Sequence, residues 1–416
     1  MNTSVFDKYE SNVRSYCRNF PTVFVKAKGA IMTDESGKEY VDFFAGAGAL
    51  NFGHNPDQIT GRLIAYLQAD GIIHSMDMFT APKRDFLEYF TEKILRPRGL
   101  DYKVQFAGPT GTNAVEAAIK LARIAKKRQN IFAFMGAFHG MTLGALSLTT
   151  DKCSREGAGQ NMHNVTHIPA PYMFPELDTI AYMERLITDD HSGIEKPAAI
   201  ILETVQADGG IYAFDAQWLR DLRALCTKHD ILLIADDIQV GCGRAGTFFS
   251  FERADIAPDI VTLSKSIGGC GMPLALVLIK PELDIWEPGQ HTGTFRGNQL
   301  ALIAGKAGLE MMAETNLLAE VQRKGQIVDQ FIKEQILPLD NRIAHRGIGL
   351  IWGIDLGLFP ANTSKRLVDA CFRNGLIAER VGRNNEVLKL MPPLTIEEGQ
   401  LLHGLELLKK AISEIL

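Results

Sequence analysis

Short apolar runs and helix-like segments alternate along the chain from about residue 100. The apolar runs cover residues 104–107, 131–134, 198–202, 231–235 and 260–263, and the helix-like segments between them include 113–127 and 218–229. Strands that alternate with helices of this length predict parallel pairing, because a crossover must carry the chain back to the start of the next strand. The pattern therefore predicts an α/β domain, in which ligands bind at the carboxyl ends of the strands.

The two ends of the chain carry a different pattern. The residues up to about Phe20 predict a weakly amphipathic helix, and Gly37 predicts a turn before an alternating stretch at 38–44. After about residue 298, a long helical segment precedes a βαβ-type region made of 347–355, 364–374 and 387–390. The last predicted helix has one apolar face that would pack on the protein, formed by Leu401, Leu405, Leu408, Ile412 and Ile415. We expect a large domain at 51–297 and a small α+β domain at 298–416, to which an N-terminal arm at 1–50 contributes.

Composition argues against several classes of protein. The 416 residues are 46% hydrophobic and 22% charged, with a formal net charge of −5, so nothing favours binding to nucleic acid. The six cysteines are scattered without a CxxC pair and the ten histidines form no metal-ligating pattern, which favours reduced thiols and no metal. Neither a signal peptide nor an apolar run of about 18 residues is visible. We expect a cytoplasmic protein that does not enter a membrane.

Two glycine-containing motifs follow predicted strands. Residues 108–113, Gly-Pro-Thr-Gly-Thr-Asn, open a predicted helix, where free N–H groups, hydroxyls and the helix dipole suit a phosphate. A plain strand-to-helix turn explains this motif equally well. Phe138-His139-Gly140 follows the next strand, and an aromatic ring beside a glycine suits stacking on a planar cofactor. The alternative is a core phenylalanine at a turn.

Two further motifs place charged residues directly after apolar strands. The run at 232–235 ends in Asp236-Asp237, and a carboxylate at a strand end can keep a pyridine nitrogen protonated beneath a cofactor ring. Asp237 could instead cap a turn. Lys265 follows the strand 260–263 among serines and glycines, a position suited to a Schiff base. The alternative is a structural lysine whose ammonium reaches solvent.

Together, the four motifs resemble those of the class III (ω-) aminotransferases, which are pyridoxal 5'-phosphate (PLP) enzymes of fold type I. The order is phosphate cradle, ring stack, ring-nitrogen acid and lysine, and Lys265 lies 29 positions after Asp236, as in that family. The resemblance extends to Gly53-His54, Thr294-Phe295 and residues 392–394, Pro-Pro-Leu. It implies an aspartate aminotransferase-like large domain with a mainly parallel seven-stranded sheet, a small C-terminal α+β domain, and a homodimer or a tetramer.

The resemblance also implies roles for individual residues. Lys265 would bind PLP covalently and transfer the substrate proton, and Asp236 would pair with the pyridine N–H. Phe138 would stack on the ring, and the partner subunit's Thr294 would reach the phosphate. The remaining implied cofactor contacts are Thr110, Gly111, Thr112, His139, Glu203 and Gln239.

The detailed sequence of the chain resembles one subgroup of the family, the diaminobutyrate–2-oxoglutarate aminotransferases. The resemblance lies in segments 44–55, 108–118, 236–239 and 293–297. This likeness implies conversion of glutamate and L-aspartate 4-semialdehyde into 2-oxoglutarate and L-2,4-diaminobutyrate, for ectoine, siderophore or peptide synthesis. The alternatives are an ornithine, 4-aminobutyrate or diamine ω-aminotransferase, an aminomutase of the same fold, or a binding protein without catalysis.

Two residues depart from the family pattern at the predicted substrate-binding positions. Asp208 stands where the family often has a glutamate, and Lys389 stands where it often has an arginine that binds a carboxylate. Lysine offers a point charge rather than a two-pronged donor, so the sequence leaves open how a substrate carboxylate is recognised. Asp208 and Lys389 could form a shortened ion pair at the substrate site, or Lys389 could be a structural residue at a strand end.

Overall fold

The computed structural model describes residues 3–158 and 164–416. The strands in this part of the chain are β1 (Phe24–Lys28), β2 (Ile31–Asp34), β3 (Glu39–Asp42), β4 (Lys103–Phe106), β5 (Ile131–Phe134), β6 (Val165–Ile168), β7 (Ala199–Leu202), β8 (Val205–Gln206), β9 (Tyr212–Ala213), β10 (Leu232–Asp236), β11 (Ile260–Leu263), β12 (Leu276–Ile279), β13 (Ala344–Ile348), β14 (Ile351–Asp355), β15 (Leu376–Ile377), β16 (Glu379–Val381) and β17 (Val387–Leu390).

Helices cover the sheets and connect their strands. Their bounds are Ser4–Tyr9, Tyr16–Asn19, Asp57–Gln68, Ala81–Tyr89, Gly111–Lys126, Leu143–Leu148, Lys152–Arg155, Thr179–Thr188, Ala216–Lys228, Gln299–Glu314, Leu317–Phe331, Thr363–Arg373 and Glu398–Ile415. A turn at Ala45–Gly48 contains residues with left-handed backbone. In residues 3–158 and 164–416, no helix is long and apolar enough to cross a membrane.

The main sheet has seven strands in the order β4-β12-β11-β10-β7-β5-β6. Strand β12 pairs antiparallel with both β11 and β4, and the other pairings are parallel. The expected mainly parallel seven-stranded sheet is therefore confirmed. Strands β5, β7, β10, β11 and β12 are buried along their whole length, which is why they read as continuous apolar runs rather than alternating ones.

Two helices show why this sequence surrounds the sheet with helices. Gly111–Lys126 buries alanines on the face that packs against β10, β11 and β12, so the helix lies close to the strands. Ala216–Lys228 begins where the side chain of Asp215 accepts hydrogen bonds from the backbone N–H groups of Gln217 and Trp218. Such a cap satisfies donors that have no partner inside the helix.

The C-terminal part forms a four-stranded antiparallel sheet in the order β13-β14-β17-β16. The predicted strand at 387–390 is β17, but the segment at 347–355 contains the end of β13, a turn and β14. The βαβ prediction is wrong because β14 and β17 are antiparallel. After helix Thr363–Arg373 the chain enters β15, which belongs to another sheet, and then β16. Gly382, with a φ of +82°, then reverses the chain into β17. The apolar face predicted for the last helix is buried.

The N-terminal arm joins this C-terminal part through a shared sheet. Its order is β1-β2-β3-β15, in which β3 and β15 pair in parallel. The single opening helix predicted up to Phe20 is wrong, because two short helices, Ser4–Tyr9 and Tyr16–Asn19, are separated by a segment in which Glu10 is extended and Asn12 and Val13 form a turn. Neither helix buries a residue, and short helices without a buried face are not extended by packing. The domain boundaries at 50 and 297 remain a prediction, which these sheets favour.

Candidate active site

The carboxyl edge of the main sheet gathers the predicted site residues. Asp236 is the last residue of β10, and Lys265 comes two residues after the end of β11. Phe138 follows β5, Glu203 follows β7 directly, and Gly111 begins the helix after β4. Because these strands run in parallel, their carboxyl ends lie at one edge, where open α/β sheets bind ligands.

Lys265 has unusual backbone and side-chain surroundings. Its φ is +51°, a conformation that costs energy for a residue with a side chain. Its Nζ makes no hydrogen bond or ion pair with any residue that the structure describes. Burial lowers the pKa of the Lys265 ammonium, although the charge of Asp208 acts in the opposite direction. The residue therefore offers an amine that gives up its proton more easily than a surface lysine.

Asp236 is held in one orientation by three donors. Its Oδ2 lies 2.7 Å from His139 Nδ1, and its Oδ1 accepts hydrogen bonds from Ile238 N and Thr262 Oγ1, both at 3.2 Å. Asp236 is only 4% exposed. The other ring nitrogen of His139, Nε2, is buried and has no hydrogen-bond partner in the described part of the chain. The structure thus brings Asp236 and His139 together as a buried pair.

The N-terminus of helix Gly111–Lys126 lies beside this strand end. A Cβ on Gly111 would stand 3.0 Å from the side chain of Ile238, so a larger residue has little space there. The backbone N–H groups of Gly111 and Thr112 donate to no group that the structure describes. Thr112 Oγ1 lies 2.7 Å from Thr142 Oγ1. Free N–H groups, hydroxyls and the helix dipole make this helix end suitable for a phosphate.

Thr110 and Thr142 differ in what they add to that helix end. Thr110 precedes the helix in extended conformation, is exposed, and donates from Oγ1 to Asn113 Oδ1 at 2.8 Å. Thr142 was not predicted from the sequence. Its position beside Thr112 results from Gly140, where a Cβ would stand 2.4 Å from Thr112 Oγ1, so only glycine allows the two loops to approach.

Glu203 connects the loops after β5 and β7. Its Oε1 accepts a hydrogen bond from Phe138 N at 2.9 Å, and its Oε2 accepts one from Ala207 N at 3.2 Å. Burial raises the pKa of Glu203 to about 7, with Asp236 adding to the effect. Phe138 itself is partly exposed. Glu203 therefore positions the loop that carries Phe138.

Lys389 lies at the centre of a charged cluster. Its Nζ lies 2.9 Å from Asp208 Oδ1, 2.7 Å from Glu379 Oε1 and 3.0 Å from Gln239 Oε1. Burial alone would lower the pKa of Lys389, but the charges of Asp208 and Glu379 outweigh it and raise this pKa. The structure thus contains the ion pair considered for Asp208 and Lys389. Glu379 was missed, because its place opposite Lys389 depends on the pairing of β16 with β17.

Thr294 lies outside these contacts. The residue is exposed, its carbonyl oxygen accepts a hydrogen bond from His74 Nε2 at 2.8 Å, and its hydroxyl makes no hydrogen bond in the described ranges. Of the predicted cofactor residues, the structure therefore brings together those on the loops after β4, β5, β7, β10 and β11, and it leaves Thr294 apart from them.

Comparison with known proteins identifies the class to which this site belongs. Residues 13–412 match the family model described as aminotransferase class III. A diaminobutyrate–2-oxoglutarate transaminase of Bordetella parapertussis is 48% identical, over 100% of this chain and 96% of its own length. Another, from Wolinella succinogenes, is 50% identical over 99% of this chain and 96% of its own. The solved structure of a Bacillus anthracis aminotransferase has a TM-score of 0.89 and 25% identity, with both chains fully covered.

The chain belongs to the class III aminotransferases. It is an aminotransferase that uses PLP, the cofactor of that family. The residues of the site fit this cofactor, because Lys265 offers an amine without a partner among the described residues and Gly111 and Thr112 offer free N–H groups for a phosphate. Asp236 offers a buried carboxylate at the end of β10.

Proposed function

We propose that the protein transfers the amino group of glutamate to L-aspartate 4-semialdehyde, giving 2-oxoglutarate and L-2,4-diaminobutyrate. Relatives from several bacteria, 48–50% identical over nearly the whole chain, carry the name of this activity. The proposal rests on two residues at the carboxyl edge of the main sheet. Lys265 has an amine without a partner among the described residues, and Asp236 has a buried carboxylate held by His139. An amino-group transfer enzyme needs both.

We assign the cofactor contacts as follows. Lys265 would bind PLP covalently, Asp236 would pair with the ring N–H, and Phe138 would stack on the ring. The phosphate would lie at Gly111 and Thr112. The contacts that complete the set are Thr110, His139, Glu203 and Gln239. His139 acts through Asp236, since its Nδ1 lies 2.7 Å from the carboxylate.

The protein's own residues perform the proton transfers. When bound, PLP supplies an electron sink for the charge that develops at the substrate carbon. The Lys265 Nζ would take the proton from the substrate carbon that carries the amine and return it to C4' of the cofactor, acting as general base and then as general acid. Its lowered pKa favours the neutral amine that the first step needs. The Asp236 carboxylate stabilises the positive charge on the ring nitrogen, and the bonds from Ile238 and Thr262 hold it in place.

We further propose a homodimer in which the partner subunit's Thr294 completes the phosphate site. The large exposed side chains of residues 72–79 support this, because contiguous apolar surface of this kind is typical of protein interfaces. They are Ile72, Ile73, Met76, Met78 and Phe79, and Phe79 is fully exposed in the single chain. The mass of the purified protein by light scattering distinguishes a dimer from a tetramer.

For the cellular location we propose the cytoplasm, because free and scattered cysteines agree with a reducing compartment.

An absorbance titration tests the proposed reaction. The purified protein should absorb near about 420 nm through bound PLP, and both glutamate and 2,4-diaminobutyrate should bleach this band, which 2-oxoglutarate should restore. Ornithine and 4-aminobutyrate are the comparison amines. Bleaching by one of these alone would replace the substrate with that of another ω-aminotransferase. Turnover of a single amino-aldehyde without 2-oxoglutarate would indicate an aminomutase, and the absence of any band would remove the enzyme assignment.

A further inference from the structure

Asp208, Glu379 and Lys389 form what we call the acidic cluster. It contains two carboxylates and one ammonium, with Lys389 Nζ 2.9 Å from Asp208 Oδ1 and 2.7 Å from Glu379 Oε1. The lysine side chain is fully buried, and its place is fixed because residues 379 and 389 are paired across β16 and β17. Burial raises the pKa of Glu379, although the charge of Lys389 acts in the opposite direction. Burial would raise the pKa of Asp208 too, but the charges of Lys389 and Lys265 outweigh it and lower this pKa, so Asp208 is the acid of the cluster that favours the ionised form.

Asp208 is the member of the acidic cluster that a substrate can reach. Its side chain is 34% exposed, whereas that of Glu379 is 8% exposed and that of Lys389 is fully buried. The cluster also adjoins the loop after Asp236, because Lys389 Nζ lies 3.0 Å from the Oε1 of Gln239 in that loop. A molecule bound at Lys265, at the same edge of the sheet, therefore has the Asp208 carboxylate in its surroundings, and the charges of Asp208, Lys389 and Glu379 act on the Lys265 amine.

The charges of the acidic cluster act on Tyr16 of the N-terminal arm. Burial raises the pKa of Tyr16 to about 12, and the charges of Glu379 and Asp208 add to this increase while Lys389 opposes it. Tyr16 begins the short helix Tyr16–Asn19 of the N-terminal arm, which is a different element from strands β16 and β17 that carry Glu379 and Lys389. Two acids and one ammonium therefore act on Tyr16, so this end of the site offers an acidic group to a cation.

We propose that Asp208 binds the α-ammonium group of an ω-amino acid whose terminal amine reacts at Lys265. Glu379 is a positioning residue in this arrangement: it engages Lys389, so that Asp208 keeps net charge for the substrate. This inference rests on the proposed function, because it names the group by which the same site would recognise 2,4-diaminobutyrate. It also accounts for the lysine at position 389, which binds two acids instead of a substrate carboxylate.

A pair of matched donors isolates that recognition. 2,4-Diaminobutyrate and 4-aminobutyrate have the same chain and the same terminal amine, and they differ only in the α-ammonium. The measurement is kcat/KM for each donor with 2-oxoglutarate, using the PLP-bound enzyme. We expect the wild-type protein to prefer diaminobutyrate. In Asp208→Asn the ratio of the two kcat/KM values should fall at least about tenfold, since a charged contact is lost for one donor only.

Glu379→Gln should lower the same ratio, because Lys389 would then neutralise Asp208. A residue with a purely structural role would change thermal stability and leave the ratio unchanged. Asp221→Asn is the matched control, because it removes one negative charge from an exposed position on helix Ala216–Lys228. An unchanged ratio in folded, PLP-bound Asp208→Asn or Glu379→Gln would overturn the proposal.

A second donor pair separates this inference from the proposed function. Ornithine and 5-aminopentanoate differ by the same α-ammonium on a longer chain. If diaminobutyrate fails as a donor but ornithine is preferred and loses its preference in Asp208→Asn, the assigned substrate is wrong and the role of Asp208 stands. If neither pair shows a preference for the α-ammonium, the role of Asp208 is wrong, even if the protein makes diaminobutyrate.

Discussion

Lys265 is the single residue on which the proposed chemistry depends. It has a positive φ and a lowered pKa, and it lacks any partner in the part of the chain that the structure describes. We expect Lys265→Ala to keep weak PLP binding through the remaining contacts and to lose turnover by about a thousandfold or more. Lys280→Ala is the control, because Lys280 likewise stands near the end of a strand of the sheet but pairs with Asp259 at 2.6 Å. Equal activity in the two variants would contradict the role given to Lys265.

Asp237, next to Asp236, is predicted to make stability depend on pH. It is 1% exposed, and burial raises its pKa from 3.8 to about 7. The folded state therefore holds the proton more tightly than the unfolded state, so this residue's contribution to stability decreases as the pH rises from about 4 to about 7. Asn at this position keeps the hydrogen bond from Ser250 N and can donate to Ser250 Oγ.

We therefore expect Asp237→Asn to gain stability relative to the wild type as the pH rises. Between about pH 5 and about pH 8 the gain should be about 2–3 kcal/mol in the free energy of unfolding. Urea unfolding at several pH values measures it. Asp221→Asn, at an exposed position, should show no such gain. Parallel curves for the wild type and Asp237→Asn would show that the carboxyl does not titrate with folding.

At the scale of elements, the N-terminus of helix Gly111–Lys126 is predicted to bind phosphate through its backbone. Gly111→Pro removes one N–H, while proline is favoured at the first position of a helix. Thr110 already has the extended backbone that a following proline requires. We expect the Kd for PLP to rise at least about tenfold more in Gly111→Pro than in Gly111→Ala, because one charge-assisted hydrogen bond is lost.

Gly111→Ala controls for space, because any Cβ at this position meets Ile238 at 3.0 Å. Circular dichroism checks that the helix remains. Equal PLP affinity in the two variants would mean that the Gly111 N–H does not contact the phosphate, and the Thr112 N–H and the hydroxyls would then have to account for phosphate binding.

What could be predicted from the sequence also differs between elements. Strands β5 and β11 have the predicted bounds, because each is a continuous apolar run with a polar residue or glycine within two positions of its end. Strand β12 was not predicted, and an apolar run would not have shown that it is antiparallel to its neighbours. Glu379 was missed for a related reason. Its contact with Lys389 exists only because β16 pairs with β17, and single-sequence patterns do not reveal which strands pair.

At the scale of the whole molecule, Arg244 joins segments that are far apart in sequence. Its side chain is fully buried and donates to the carbonyl oxygens of Leu350 at 2.8 Å and of Pro392, and to Asn51 Oδ1 at 2.6 Å. It pairs with no acid in residues 3–158 and 164–416, and burial lowers the pKa of Arg244 to about 9. The segments around Asn51, Leu350 and Pro392 thus meet at one guanidinium.

Replacing this guanidinium tests whether those segments are stabilised together. Arg244→Met should lower the free energy of unfolding by about 3 kcal/mol or more, because buried acceptors would lose their donors while a similar volume is filled. Arg323→Met is the matched control, since Arg323 is exposed and pairs with Glu320 and Glu398 on the surface. Its loss should cost much less than the loss of Arg244, because exposed ion pairs contribute little to stability. Urea unfolding of both variants gives the comparison. Equal losses would mean that solvent or rearranged side chains satisfy the acceptors, and the three segments would then be coupled by apolar packing instead.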